Sequence, residues 1–250
     1  MSSVTFLGTG GARVVVFKQI LASGGLWLDV DGTLLLVDPG PGSIVQCTKR
    51  KLYPEKLSAV IITHRHLDHC ADVNSIIESM TTGGLERRGI LFAPCDALDE
   101  DPVVLHYVRS YLDEVRVLAE RTEYAVGSAR FRTTARLAHP VQTYGLIFET
   151  PLGRLGLLTD TAYFPELADQ FRCDYLIVNV VLLQPRPGVY HLCVAEAQAV
   201  VEVVRPKLAV LTHFGMQVWR AKPWEIAARM GEQTGIKVIA ARDGMRLELE

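Results

Sequence analysis

Two packed β-sheets covered on both outer faces by helices, an α+β arrangement, is the fold class this sequence predicts. Three observations predict it. Short apolar runs bounded by Gly, Pro and Asp recur through the first third of the chain. A second block of closely spaced strand-like segments fills residues 114 to 160. Beyond it, helix-period stretches alternate with buried-strand runs, so helices are available for both faces. The 250 residues are 49% hydrophobic and 22% charged, enough to bury a large core without staples. With no repeat, linker or low-complexity tract in view, one domain over residues 1–250 is expected.

VTFLG at 4–8, LWLDV at 26–30 and TLLLVD at 33–38 read as strands. The last two are joined at Asp31-Gly32, a dipeptide suited to a tight hairpin turn. LSAVIIT at 57–63 has the β-branched, apolar character of a buried strand, and ionisable residues follow it abruptly. A helix is expected to start near Asp68; from Asp72 the pattern VNSIIESM has helical period until Gly83-Gly84 closes it. GILFAP at 89–94 is the next strand. Residues 95–112, containing His106, Tyr107 and Tyr111, are expected to form a substrate-facing loop or short helix rather than core, with His106 unassigned to any role. EVRVLA, TEYAVG, ARFRTTAR, YGLIFET and RLGLLTD then follow through short turns such as Thr150-Pro151-Leu152-Gly153, which implies antiparallel pairing. DYLIVNVVLL is a buried strand, Val194–Val204 a helix stopped by Pro206, KLAVLTH a strand, Lys222–Gln233 a helix and KVIAA the last strand.

Composition narrows the function. A formal net charge of -2, with the signs mixed along the chain, gives no general attraction to a polyanion or an anionic membrane. Any nucleic-acid contact must therefore be local. The five cysteines (Cys47, Cys70, Cys95, Cys173, Cys193) form no CxxC pair, which argues against a disulfide framework and a cysteine zinc site. The opening MSSVTFLGTGG has no basic segment followed by a long apolar run, and no apolar stretch reaches bilayer length, so the expected compartment is the cytoplasm.

Three of the seven histidines fall within Thr63-His64-Arg65-His66-Leu67-Asp68-His69, directly after a buried strand. A strand end and the following turn can aim several imidazole and carboxylate groups into one cavity, and those are preferred ligands of zinc, manganese and ferrous iron. Three further candidates sit at strand ends: Ala138-His139-Pro140, Thr159-Asp160-Thr161 and Thr212-His213-Phe214. Singly each reads as a satisfied polar residue; together they supply what a two-metal site needs.

The sequence resembles the metallo-β-lactamase superfamily, whose HxHxDH signature is matched by His64, His66, Asp68 and His69. The resemblance spans almost the whole chain and implies a four-layer αββα sandwich. It also implies a ligand assignment: His64, His66 and His139 on one metal, Asp68, His69 and His213 on the other, and Asp160 shared between them with an activated water. Two divalent ions are thus expected, zinc or manganese, with iron as a further candidate. Asp38 lies where the superfamily carries an aspartate that orients a ligand histidine, and a turn-capping role before Pro39-Gly40 fits equally well.

Four features resemble the branch containing ribonuclease Z and small cyclic-phosphate phosphodiesterases. They are the opening Phe6-Leu7-Gly8-Thr9-Gly10-Gly11, the Thr159-Asp160-Thr161 segment, Leu211-Thr212-His213-Phe214, and His191 ahead of a helix that carries Glu196. The resemblance implies that His191 protonates the leaving group, with Asp68 also in the catalytic set and Glu196 as support. A helix-capping or surface histidine is the competing reading of His191. The expected substrate is a small or nucleotide-like phosphodiester. Binding of tRNA is not expected, because the chain shows neither the long arm of ribonuclease Z nor a basic tract in its place; a homodimer is implied by resemblance alone. Hydrolysis of a thioester or lactone uses the same ligands and stands as the alternative, and a non-enzymatic metal-binding protein ranks last. Phe17, Tyr107, Tyr144, Phe214 and Trp219 either line a pocket or pack the core. Arg13, Arg65 and Arg220 either bind phosphate or are solvated.

Overall fold

A computed structural model describes residues 2–249. The chain opens as an antiparallel meander of β1 (Ser3–Phe6), β2 (Leu26–Val30) and β3 (Thr33–Val37). The same sheet continues in parallel through β4 (Ala59–Ile61), β5 (Ile90–Pro94) and β6 (Glu114–Leu118). The second sheet repeats that order: β7 (Glu123–Val126), β8 (Ala129–Arg136), β9 (Tyr144–Thr150) and β10 (Gly153–Leu158) are antiparallel. The parallel strands β11 (Tyr175–Asn179), β12 (Leu208–Thr212) and β13 (Val238–Ala240) follow. Finally β14 (Arg246–Glu248) returns to the first sheet and pairs antiparallel with β1, giving each sheet seven strands. No sequence repeat betrays this twofold plan; it exists only in the topology.

The alternation of side chains along a strand builds the layers. In β4, Ala59 and Ile61 face the second sheet while Val60 faces outward; in β12, Leu208 and Val210 face inward while Ala209 and Leu211 face out. The core between the sheets holds Phe6, Leu28, Ile61, Phe92, Phe131, Phe148 and Ile177, among others. Outside the first sheet lie α2 (Ser43–Lys49), α4 (Val73–Met80) and α5 (His106–Arg109), burying Cys47, Ile76, Ile77 and Val108. Outside the second lie α6 (Val194–Val204), α7 (Met216–Arg220) and α8 (Pro223–Thr234), burying Val200, Val218 and Ile226. The result is the expected four-layer αββα sandwich. Parallel strands buried on both faces explain why LSAVIIT, DYLIVNV and LAVLT read as unbroken apolar runs.

The expected turns and helices hold closely. Asp31 (φ 49°) and Gly32 (φ 86°) make the β2–β3 turn in the doubly positive conformation that a two-residue hairpin requires. The helix expected at 194–204 occupies those residues, and the one expected at 222–233 runs Pro223–Thr234 with its end at Gly235 in the left-handed region.

Two expectations are corrected. EVRVLA does not join the antiparallel block: β6 lies parallel to β5 on the edge of the first sheet, and the short link at 119–122 carries the chain across to the second. Strand spacing alone does not say which sheet a strand joins. Residues 95–112 do contribute core, since Ala97, Val104, Val108 and Leu112 are fully buried against α4 and the first sheet. Tyr107 faces solvent, stacks edge-on with Tyr111 and reaches toward Glu78, so this part of the segment belongs to the outer helical layer. Of the aromatics left open, Tyr144 and Phe214 are core and Phe17 is 76% exposed. Arg65 holds Asp101 at 2.8 Å, and Arg13 and Arg220 are exposed. Among the described residues no helix is long and apolar enough to cross a membrane.

All five cysteines are free. Burial pushes the Cys47, Cys70 and Cys173 thiols up to about 12, and burial also raises Cys193. A thiol with a raised pKa stays protonated at pH 8, and only the thiolate is nucleophilic. The hydrogen bond to Asp99 at 3.0 Å also raises the Cys95 thiol, but Cys95 lies outside the hydrophobic core where reagent can reach it, so it is the thiol expected to react first with a chromogenic disulfide at pH 8. Peptide mapping should find label at Cys95 well before the other four, and all five should react in denaturant.

Candidate metal centre

The cluster forms where strand ends of the two sheets meet. From the first sheet, β4 ends at Ile61, and the chain then delivers His64, His66 and the short helix α3 (Leu67–Cys70), which carries Asp68 and His69. From the second sheet come His139 between β8 and β9, Asp160 just after β10, and His213 just after β12. His64, His69, His139, Asp160 and His213 are buried, and His66 and Asp68 are half-buried at the opening. One donor atom each from His64, His66 and His139 falls within 4.8 Å of the others, and the same holds for Asp68, His69, Asp160 and His213.

The donor atoms face one another rather than protein partners. His69 Nε2 and His213 Nε2 are 2.8 Å apart, and His139 Nε2 lies 3.0 Å from His66 Nδ1. His64 Nε2 is buried without a hydrogen-bond partner and sits 3.8 Å from Asp160 Oδ2. Asp160 Oδ2 is also 3.3 Å from His69 Nε2, and Asp68 Oδ2 is 3.7 Å from His213 Nε2. Converging lone pairs with one orphaned buried nitrogen are the pattern a divalent cation satisfies, and the donor set suits zinc, manganese or iron. The residues fit a metal.

In His64, His69 and His139 the inward nitrogen is aimed by what lies at the other side of the ring. His69 Nδ1 donates to Asp38 Oδ2 at 2.9 Å, and His139 Nδ1 donates to the Tyr190 carbonyl at 3.0 Å. Thr63 Oγ1 donates to Asp38 Oδ2 at 2.7 Å and lies 3.2 Å from His64 Nδ1. Asn179 Nδ2 donates to Asp160 Oδ1 at 2.9 Å, leaving Oδ2 for the cluster. Asn179, Thr63 and the Tyr190 carbonyl were not singled out from sequence. The available signal for Asn179 was a lone polar residue inside the apolar run DYLIVNVV.

Burial holds the imidazoles of His64, His66 and His213 below their ordinary range and His139 at about 4, so these rings are neutral and ready to coordinate. His69 goes the other way: against the opposing effect of burial, Asp160, Asp38 and Asp68 hold it well above its usual range. Asp160 stays ionised because His213, His191 and His69 outweigh the desolvation that would raise it. Three carboxylates thus concentrate negative potential on one point, a field that favours a cation there.

The backbone is forced to fit. Asp38 (φ 52°) and His213 (φ 58°) adopt left-handed conformations at the ends of β3 and β12, each costing about 1–3 kcal/mol. A Cβ on Gly11 would fall inside the His213 ring, and one on Gly40 would strike the Asp68 carbonyl oxygen. His191, on the loop before α6, places its Nδ1 3.5 Å from Asp160 Oδ2, and that nitrogen is buried without a hydrogen-bond partner. Glu196 lies elsewhere: its carboxylate accepts from the Cys193 amide at 2.8 Å and closes a capping box at the start of α6. It anchors the helix that follows His191 rather than touching a ligand. His106 is exposed on α5.

Residues 33–214 match the family model of the beta-lactamase superfamily domain. The chain belongs to the metallo-β-lactamase superfamily. An uncharacterized Methanocaldococcus jannaschii protein, MJ1374, is 32% identical over 98% of this chain and 94% of its own length. Ribonuclease Z of Kineococcus radiotolerans is 33% identical over 59% of this chain and 48% of that enzyme. Among solved structures, the metallo-β-lactamase fold protein YhfI of Bacillus subtilis superposes with a TM-score of 0.83 at 18% identity, covering 98% of both chains. A diphosphatase of the PhnP family superposes at 0.75 with 21% identity, over 100% of this chain and 98% of its own. These superpositions establish the shared fold. The chain is a hydrolase of this superfamily, carrying His/Asp clusters able to bind metal.

Because Asp38 bonds both Thr63 and His69, Asp38→Asn should weaken metal retention about 10–100-fold. Chelator competition at fixed pH measures this, and retention equal to wild type would remove Asp38 from the site.

Proposed function

We propose that this metallo-β-lactamase superfamily member is a dinuclear phosphodiesterase acting on a small or nucleotide-like phosphodiester. His64, His66 and His139 hold one cation, Asp68, His69 and His213 the other, and Asp160 is shared, its Oδ2 lying within 3.8 Å of both His64 Nε2 and His69 Nε2. Divalent cations bound there supply an activated water and neutralise charge building on phosphoryl oxygens. The observation that carries the reading is His191: its Nδ1 lies 3.5 Å from the shared carboxylate while its side chain remains 20% exposed. A histidine so placed holds a proton where a departing alkoxide needs one, a service that matters most for poor leaving groups. Asp68, half-buried, stands 3.7 Å from His213, where it would help hold the cation and could orient an entering water.

The relationship to ribonuclease Z and the likeness to a PhnP-family diphosphatase support phosphorus over carbonyl chemistry. A small substrate is favoured over a folded RNA because the net charge of -2 supplies no field to hold a polyanion. Thioester hydrolysis would use the same ligands but give His191 no comparable task, since a thiolate leaves readily unprotonated; a lactone, which expels an alkoxide, is disfavoured by the ribonuclease Z and PhnP-family likenesses rather than by His191.

His66→Ala and Asp160→Ala should each lose bound metal and activity; retention of both would sink the ligand assignment. His191→Ala should keep its metal, measured by elemental analysis, and slow alkyl phosphodiesters by about 10²–10⁴-fold while sparing bis(p-nitrophenyl) phosphate. Equal slowing of both would remove His191 as the acid. Across a panel adding a 2′,3′-cyclic nucleotide, a thioester and a lactone, turnover confined to the last two would overturn phosphodiester hydrolysis.

A further inference from the structure

His213 differs from the other buried histidines of the cluster. The rings of His64, His69 and His139 each have a polar neighbour at Nδ1, in Thr63, Asp38 and Tyr190, whereas His213 Nδ1 is buried with no hydrogen-bond partner. What lies against that nitrogen is the backbone of Gly11, so close that no side chain fits between them. The ring is placed by shape rather than by a polar bond.

That shape depends on the loop after β1. The Phe214 amide donates to the Thr9 carbonyl at 2.7 Å, and the Gly11 amide donates to the Phe214 carbonyl at 3.1 Å. These two bonds clamp Phe214 on both sides, next to His213, whose φ of 58° needs outside support. The loop is itself held by one carboxylate. Asp243, between β13 and β14, accepts from the Thr9 amide at 2.9 Å, from Thr9 Oγ1 at 2.7 Å and from the Ala22 amide at 2.8 Å. Charge-assisted bonds of this kind are the strong ones, and three on one carboxylate fix both arms of the loop.

We propose that Asp243 is a positioning residue for the metal centre: through Thr9 and Gly11 it sets where the His213 imidazole stands. The inference rests on the reading of His213 as a metal ligand. It assigns a site function to a residue 30 positions away from that ligand and in contact with none of them.

The test is zinc retention against a graded chelator, with thermal unfolding recorded in parallel on the full chain. His213→Ala comes first and should lose the more weakly held metal; full retention would overturn the ligand reading and this proposal with it. Given that loss, Asp243→Ala and Thr9→Val should release the same metal at about 10-fold or more higher free zinc, the scale seen when a ligand's support is removed. Thr9→Ser, which keeps the hydroxyl, should match wild type. Asp243→Asn retains one acceptor and should fall between, which covers the case where Asp243→Ala does not fold. Asp174→Ala is the control: that carboxylate also accepts a backbone amide, Arg154 at 2.9 Å, and pairs with Lys207, away from the cluster. It should lower the unfolding temperature without moving zinc retention. Wild-type retention in Asp243→Asn and Thr9→Val, or an equal loss in Asp174→Ala, would overturn the proposal.

Discussion

One buried carboxylate organises the junction on which the metal cluster depends. Asp38 accepts from the Thr63 amide at 2.7 Å, from Thr63 Oγ1 at 2.7 Å and from His69 Nδ1 at 2.9 Å, while its own amide donates to Ile61. It therefore ties the end of β3 to the end of the neighbouring parallel strand β4 and to the helix carrying Asp68 and His69. Without it, the Thr63 amide and His69 Nδ1 would lose their partners, each at a desolvation cost of about 1–3 kcal/mol. The left-handed backbone at Asp38 is tolerated because these bonds over-determine its place. Gly40, two residues on, lets the turn pass against the Asp68 carbonyl, so both flanks of the HxHxDH segment are set by the same turn.

The two sheets contribute unequally but complementarily. The first brings His64, His66, Asp68 and His69 on one continuous segment; the second brings His139, Asp160 and His213 from three separate strand ends. Every residue of the cluster occupies the end of the sandwich where strands stop and backbone groups need not pair along a ladder. The rigid inter-sheet core, with Phe92, Phe131 and Phe148 packed ring to ring, fixes how the two sets face one another. Burial supplies neutral imidazoles, and paired carboxylates supply negative potential, before any cation arrives.

The residues of the cluster were legible because histidine and aspartate are conspicuous at the ends of apolar strands, and because parallel strands buried on both faces write themselves as unbroken apolar runs. What sequence hid has a physical cause in each case. The placement of β6 depends on which sheet edge is open, which a local pattern does not encode. The short elements α1 (Arg13–Phe17), α2, α7 and β14 offer too few residues for a period to emerge. Asp243 precedes Gly244 and reads as an ordinary turn residue, and Glu196 looked like a site residue because a capping box also calls for Glu at that position. The core residues Val104, Val108 and Leu112 lie in a stretch whose exposed His106 and Tyr107 mask its buried face.

The return of β14 to pair with β1 has a consequence for the order in which the chain acquires its shape. A ribosome releases residues from the amino end at about 5–20 per second, so the nascent first sheet waits with the outer edge of β1 unpaired until residues 246–248 emerge. Asp243, which anchors the loop behind His213, emerges only just before them. The anchor of the loop behind His213 is therefore made late, after every residue of the His/Asp cluster has emerged. A chain translated only to residue 242 carries all seven residues of the His/Asp cluster but not the Asp243 anchor, and the exposed edge of β1 is open to pairing with other chains until β14 arrives.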